Sequence, residues 1–368
     1  MAPDRPRRGP RPTLASVHDL APLARFGGLV ATDLRDVTSD PEALESSGFW
    51  AVAADFEGRL TCARFGDVRP EPVPAPVSGR WRGPAADDWT SSLDRDAYIA
   101  GVRRIREHIA AGEVYQANLC RVLSAPLPPG TAATADVDAL TALLARGNPA
   151  PYAGTIRLPA HGVEIATASP ELYLRRDDRT VESGPIKGTG RTADDLLEKD
   201  HAENVMIVDL VRNDLGRVCA TGTVTVPRLC AVEPHPGLVH LVSTVRGELA
   251  PGQGWPGLLD ATFPPGSVTG APKSSAMRII DALETAPRGP YCGGIGWVDA
   301  DRRTGELAVG IRTFWIDRRE PEGLLRFGTG AGITWGSDPE REWRETELKA
   351  ARLLAVASGV HEAIGRTI

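Results

Sequence analysis

The chain has 368 residues, of which 42% are apolar and 24% charged, an ordinary globular balance that excludes a largely disordered protein. Its 48 acidic residues outnumber 42 Lys and Arg, and the net charge of −6 argues against a general binder of phosphate backbones, which needs a basic surface. Cys62, Cys120, Cys219, Cys230 and Cys292 form no CxxC pair, and the sequence holds neither a signal-peptide core nor a long unbroken apolar run. The expectation is a reduced, soluble, cytoplasmic protein with no disulfide framework, zinc site or nucleic-acid partner.

The basic, Pro-rich start, residues 1–13, is expected to be disordered, because Pro and Arg there have no packed face to repay ordering entropy. Short strand-like runs such as Phe49-Trp50-Ala51-Val52 follow, ending in a Pro-rich link at 69–79. Residues 14–85 thus read as a small N-terminal portion packing on the same core as a larger unit, 86–360. Tyr98, Val102, Ile105 and Ile109 recur at helical spacing, with Asp94 or Asp96 to cap the start and Gly112 to end the helix. In the strand predicted at 114–119, apolar Tyr115, Ala117 and Leu119 alternate with Gln116 and Asn118, placing two amides on one face. Further strands are predicted at 163–168, 223–229, 238–248, 293–299, 307–316 and 324–330, and helices at 194–213, 272–285 and 338–358. Grouped strands with fewer helices predict an α+β fold.

Four patterns carry candidate chemistry. Asp200 and Glu203, and Glu342 and Glu345, are each three apart on a predicted helix, so each pair shares a face. Two such faces can converge on a hard cation, although a pair at this spacing is far more often the solvated side of a surface helix. Lys349, seven residues past Glu342, shares its face. In 327–337, FGTGAGITWGS, the glycines let the backbone approach a ligand or merely relieve crowding, and the spacing is not a dinucleotide fingerprint. In 264–275, PPGSVTGAPKSS, a Gly-rich turn runs into a helix, but Ala271 and Pro272 separate Gly270 from Lys273, so it is no P-loop. Finally, Glu171 and Lys187 flank a predicted strand and turn as a candidate proton donor and nucleophile. A nucleophilic lysine must be neutral, so a lowered pKa is expected there. His240 lies in an apolar strand, where a satisfied core histidine is the common case.

Taken together and in this order, ASPELYLRR, GPIKGTGR, AENVMIVDLVRNDLGRV, HLVSTVRGEL, GSVTGAPK, GPYCGGIGW and GTGAGITWGSDPEREWRETELKA resemble the chorismate-utilising enzyme family, over roughly residues 95–358. The resemblance makes 86–360 a chorismate-binding catalytic domain. It implies an anthranilate synthase component I-like α+β sandwich of two large antiparallel sheets flanked by helices, with the site between them. It also implies Mg²⁺ held by Asp200, Glu203, Glu342 and Glu345, directly or through water. Gly330, Ala331 and Gly332 would offer backbone contacts to substrate, Thr269, Tyr291, Arg312 and Lys349 would surround its two carboxylates, and His240 resembles the family's active-site histidine. Gln116 stands where water-adding members have lysine, which disfavours water addition. Lys187, in Pro-Ile-Lys-Gly-Thr, stands where anthranilate synthases typically have alanine, and this form is typical of aminodeoxychorismate synthase component I. The implied activity is amination of chorismate at C4 for 4-aminobenzoate and folate, through a covalent Lys187 intermediate with Glu171 as acid. Ammonia would come from a separate glutamine amidotransferase subunit. Anthranilate synthase component I is the alternative.

Overall fold

The computed structural model describes residues 20–71, 81–147, 149–190, 192–235, 238–320 and 322–359. The expected disorder of 1–13 lies outside these residues, as does most of the Pro-rich link. The chain opens with strands β1 (Leu23–Phe26), β2 (Leu29–Thr38), β3 (Phe49–Ala54) and β4 (Leu60–Pro70). Then come β5 (Thr90–Ser91), helix α1 (Arg95–Ala110), β6 (Gln116–Pro126), α2 (Val137–Gly147), β7 (Tyr152–Leu158) and β8 (Val163–Ser169). These are followed by β9 (Leu172–Asp177), β10 (Thr180–Gly184), β11 (Ile186–Gly190), α3 (Glu198–Gly216), β12 (Thr225–His235) and β13 (Leu238–Glu248). Helix α4 (Trp255–Thr262), β14 (Gly270–Ala271) and α5 (Lys273–Leu283) precede β15 (Gly294–Asp299), β16 (Thr304–Val309), β17 (Thr313–Asp317), β18 (Leu324–Ile333) and α6 (Pro339–Ala357).

Local chemistry explains the helix ends. The Asp94 carboxylate accepts from the Ala97 N–H at 2.8 Å and starts α1, while Asp338 accepts from the Arg341 N–H at 2.9 Å and starts α6, with Pro339 next. Among the described residues, no helix is long and apolar enough to cross a membrane.

The strand pairings are all antiparallel. One run of neighbours is β6, β18, β17, β8, β7 and β1. The other is β2, β4, β3, β15, β16, β9, β10 and β13, with β11 following β10 along one edge of β13 and β12 on its other edge. The expectation of two separate sheets is therefore wrong, although the α+β class holds. β1 pairs with both β2 and β7, so the 18 strands form one continuous sheet. The joining strand has four residues, too short for its alternation to reveal a shared role. The largest core cluster takes Cys120, Val122, Ile156 and Ile165 from the first run and Val52, Leu174, Val245 and Leu307 from the second, so the two runs face each other across one core. Helices α2 and α6 cover the other side of the first run through Leu140, Leu144, Leu353 and Val356, and α1 and α5 pack on β6 and β18.

The segment 263–272 bridges the two ends of this sheet. Gly270 and Ala271 pair with Ala117 and Gln116 at the start of β6, and Thr269 O accepts from the Asn118 N–H at 2.8 Å. Gly270, at φ +150°, leaves no room for a side chain, since a Cβ there would lie 2.2 Å from Gln116 O. Beneath the segment, Arg288 is 1% exposed and donates to Val268 O at 2.9 Å, to Asn118 O at 3.3 Å and to both Glu284 oxygens. Glu284 in turn accepts from the Cys120 N–H at 2.8 Å. Removing one partner of a buried ion pair leaves the other charge uncompensated, at about 3–5 kcal/mol. Arg288→Met is accordingly expected to lower the unfolding free energy by about that amount in urea denaturation. A loss below about 1 kcal/mol would show that the pair does not hold the segment.

Candidate active site

Lys187 projects from β11, whose register sets Lys187 opposite Leu241 of β13. Its Nζ donates to Ser267 O at 3.1 Å and pairs with Glu203 Oε1 at 2.9 Å, and its side chain is 12% exposed. Burial pulls the ammonium toward neutrality, but Glu203, Glu171 and Glu345 together outweigh that pull, and the net displacement is upward. The lowered pKa expected from the sequence is thus not a property of the ligand-free site.

Glu171, between β8 and β9, is 4% exposed. Burial pushes its carboxyl up to about 7, opposed by the Ser267 hydroxyl, the Lys187 charge and the Ile186 backbone N–H, all of which favour the anion. The cavity that Glu171 lines also includes Ser183, Tyr173, Asp214 and Ser267. Nearby, Lys273 pairs with Asp214 at 2.7 Å and donates to Thr262 O, so the lysine of the GAPK motif ties α5 to α3 and α4 instead of meeting a ligand.

At the end of the other run, the fully buried Gln116 donates Nε2 to Glu203 Oε1 at 2.8 Å and lies 3.5 Å from Asn118 Oδ1. Its Oε1 has no hydrogen-bond partner. The two amides read onto one face of this strand do meet. Gly332 of β18 closes against them, since a Cβ there would lie 2.2 Å from Gln116 Nε2 and 2.9 Å from Glu203 Oε1. Gly330 and Ala331 pair with Cys120 and Leu119. A chain of contacts therefore runs from Gln116 through Glu203 and Lys187 to Ser267, which lines one cavity with Glu171.

The remaining predicted residues lie around this chain. Lys349 donates to Gly330 O at 3.1 Å and pairs with Glu345 at 2.7 Å. Thr269 is fully buried, and its hydroxyl is bonded to the Pro265 and Gly266 carbonyls. Tyr291 is 6% exposed, with its hydroxyl 4.0 Å from Cys120 Sγ. Arg312 adopts φ +52° at the break between β16 and β17, and burial lowers its pKa with no acidic neighbour among the described residues opposing this. A half-buried guanidinium without a carboxylate suits an incoming anion. His240 is buried beside Leu241, opposite Thr189 and Glu233 in register.

Among the described residues, no group of three or more His, Cys, Asp and Glu is gathered as for a metal ion. The Asp200 carboxylate accepts from the Leu197 N–H at 2.8 Å, Glu203 and Glu345 are paired with lysines, and Glu342 is 8% exposed. Even so, α3 and α6 bring carboxylates and lysines within mutual influence, since Lys199 and Lys187 both act on Glu345. The donors are all carboxylate oxygen, a set chemically suited to a hard cation.

Sequence reasoning missed Ser267, which supplies a carbonyl to Lys187. A main-chain acceptor leaves no mark in side-chain patterns. It also missed Asp214, whose partner is distant in the chain.

The raised Glu171 carboxyl has a measurable consequence. It holds its proton more tightly when folded than at its ordinary 4.5, so its contribution to stability is complete below pH 4.5 and is lost as pH rises through about 7. The stability difference between wild type and Glu171→Gln is expected to fall by up to about 1.4 kcal/mol per pH unit within that window. Denaturation curves giving a pH-independent difference would contradict the assignment.

Residues 50–355 match the family model for chorismate binding enzymes. Anthranilate synthase component 1 of Streptomyces coelicolor is 41% identical over 305 residues, covering 78% of this chain and 57% of that protein. Aminodeoxychorismate synthase component 1 of Escherichia coli is 37% identical over 281 residues, covering 73% and 59%. The chain thus spans less than two thirds of the length of these relatives. The crystal structure of anthranilate synthase component I from Streptococcus pneumoniae matches with a TM-score of 0.75 at 23% identity, over 95% of each chain, a likeness of fold.

Proposed function

The chain belongs to the chorismate binding enzymes, and from that premise we propose that it aminates chorismate at C4, with Lys187 as nucleophile and Glu171 as proton donor. The observation that carries this reading is that Lys187 Nζ donates to Ser267 O at 3.1 Å, that Glu171 lines one cavity with Ser267, and that burial pushes the Glu171 carboxyl up to about 7. A group with that pKa is protonated in a useful fraction near neutral pH.

In the proposed reaction, Arg312, Lys349, Thr269, Tyr291 and the backbone of Gly330 to Gly332 hold the two carboxylates of chorismate. Asp200, Glu203, Glu342 and Glu345 would hold Mg²⁺, which supplies Lewis-acid polarisation of the ring carboxylate when bound. Lys187, once deprotonated, forms a bond to C2 as the ring double bonds shift and the C4–O bond breaks. Glu171 gives its proton to the departing hydroxyl, which leaves as water. Ammonia then bonds to C4, the double bonds shift back, the C2–N bond to Lys187 breaks, and 4-amino-4-deoxychorismate is released. A separate glutamine amidotransferase is the proposed source of ammonia, and folate synthesis the proposed destination.

A second reading, anthranilate synthase component I, has its own support, because two relatives bearing that name reach 41% identity, against 40% for a probable aminodeoxychorismate synthase. Under it, ammonia attacks C2 directly and Lys187 forms no bond. The test is to supply the chain with chorismate, Mg²⁺ and ammonium and to identify the product by chromatography and mass spectrometry. The first reading expects 4-amino-4-deoxychorismate, its loss in Lys187→Ala, and a fall of about 10²–10⁴ in kcat for Glu171→Gln. Anthranilate from the wild-type chain would establish the second reading, and isochorismate would overturn both.

A further inference from the structure

We propose that the small buried cavity behind Glu171 is the binding site for ammonia, the second substrate, held there by Ser183, Asp214 and Tyr173. The proposal deepens the C4-amination reading and rests on it for the direction of attack. The cavity holds about 20 Å³, room for one molecule of the size of water or ammonia. Ser183 of β10 lines it and is 6% exposed, and its hydroxyl makes no hydrogen bond to any described residue. Asp214 of α3 accepts from Lys273 through Oδ2 at 2.7 Å, while its Oδ1 has no donor among the described residues. The Thr262 hydroxyl donates its one hydrogen to Leu258 O at 2.7 Å, so in its 2.6 Å bond with Tyr173 the phenol donates. The phenol oxygen keeps its lone pairs. An unspent hydroxyl and two unspent acceptors thus line a space for one heavy atom.

Ammonia suits this set better than water. It carries three N–H donors and one lone pair, whereas water carries two donors, and the lining is rich in acceptors. The cavity also favours the neutral, nucleophilic form. Lys273 matches the Asp214 charge, and the walls include Leu172, Leu174, Val211, Leu215 and Val309, surroundings that penalise an ammonium ion. The location serves the chemistry, because Glu171 and Ser267 line the cavity and Ser267 O holds Lys187. In the proposed reaction the hydroxyl leaves C4 toward Glu171. Two successive allylic displacements of the same facial sense put the new C4–N bond on the face the hydroxyl left. Ammonia held behind Glu171 enters from that side.

Ser183→Ala removes one hydrogen-bonding partner, and Ser183→Val fills the space. With the full chain, saturating chorismate and Mg²⁺, initial rates are measured against ammonium chloride at fixed pH, and the product is identified by mass. KM for ammonia is expected to rise about 3–10-fold in Ser183→Ala and further in Ser183→Val. KM for chorismate, measured at saturating ammonium, is expected to change by less than about twofold in both variants. A KM for ammonia unmoved in both variants would overturn the proposal and leave the cavity to an ordered water. Equal rises in both KM values would overturn it too, as the mark of a general loss of structure. Product identity separates this site from the reading it deepens. Anthranilate, formed with KM for ammonia alone raised in the variants, would sink C4 amination and keep the ammonia site; 4-amino-4-deoxychorismate with that KM unmoved would do the reverse.

Discussion

The arrangement depends on the segment 263–272 joining the two ends of one sheet. Gln116 begins the strand at one end of the pairing order and Lys187 lies beside β13 at the other, so backbone pairing alone does not bring them together. The segment does so by pairing Gly270 and Ala271 with β6 and by presenting Ser267 O to Lys187. Arg288 secures it from below through carbonyls on both the segment and β6. This explains a fully buried arginine: besides pairing with Glu284, its donors satisfy backbone acceptors that would be costly to bury alone.

Charge is balanced around that junction. Glu203 is shared between the Lys187 ammonium and the Gln116 amide, and Glu171 is buried deeply enough to keep its proton near neutrality. In this state one group is a cation and the other is poised to act as an acid. Under the proposed mechanism the lysine proton must leave before attack, so the ligand-free ion pair is a resting arrangement. Arg312 contributes the complementary feature, a positive charge not committed to an acidic neighbour among the described residues. The two ends of the charge pattern match the two demands of a dicarboxylate that must lose a hydroxyl.

Much of this was legible in the sequence where local rules act. The α1 cap at Asp94, the helices α5 and α6, and the polar face of Gln116 and Asn118 follow from spacing that tertiary contacts reinforce. The expected single strand at 307–316 instead breaks into β16 and β17, because Gly310 and Arg312 turn the chain and Arg312 takes a positive φ that no apolar pattern signals. Tyr115, which the alternation places on one face with Ala117 and Leu119, is 73% exposed, since β6 begins only at Gln116. Helices α2 and α4 were not anticipated. Sheet continuity through β1 and the Ser267 carbonyl were unreadable for one reason, that backbone hydrogen bonds between distant segments carry no residue-type signature.

The most direct measurement of the central claim, that Lys187 is the group to which chorismate becomes bonded, is whole-protein mass spectrometry after rapid mixing with chorismate and Mg²⁺ without ammonia. The account predicts a population carrying chorismate less one water, mapped by peptide analysis to Lys187 and discharged as the amino product when ammonium is added. Single-turnover formation of that product with Lys187 unmodified at every time point would contradict it.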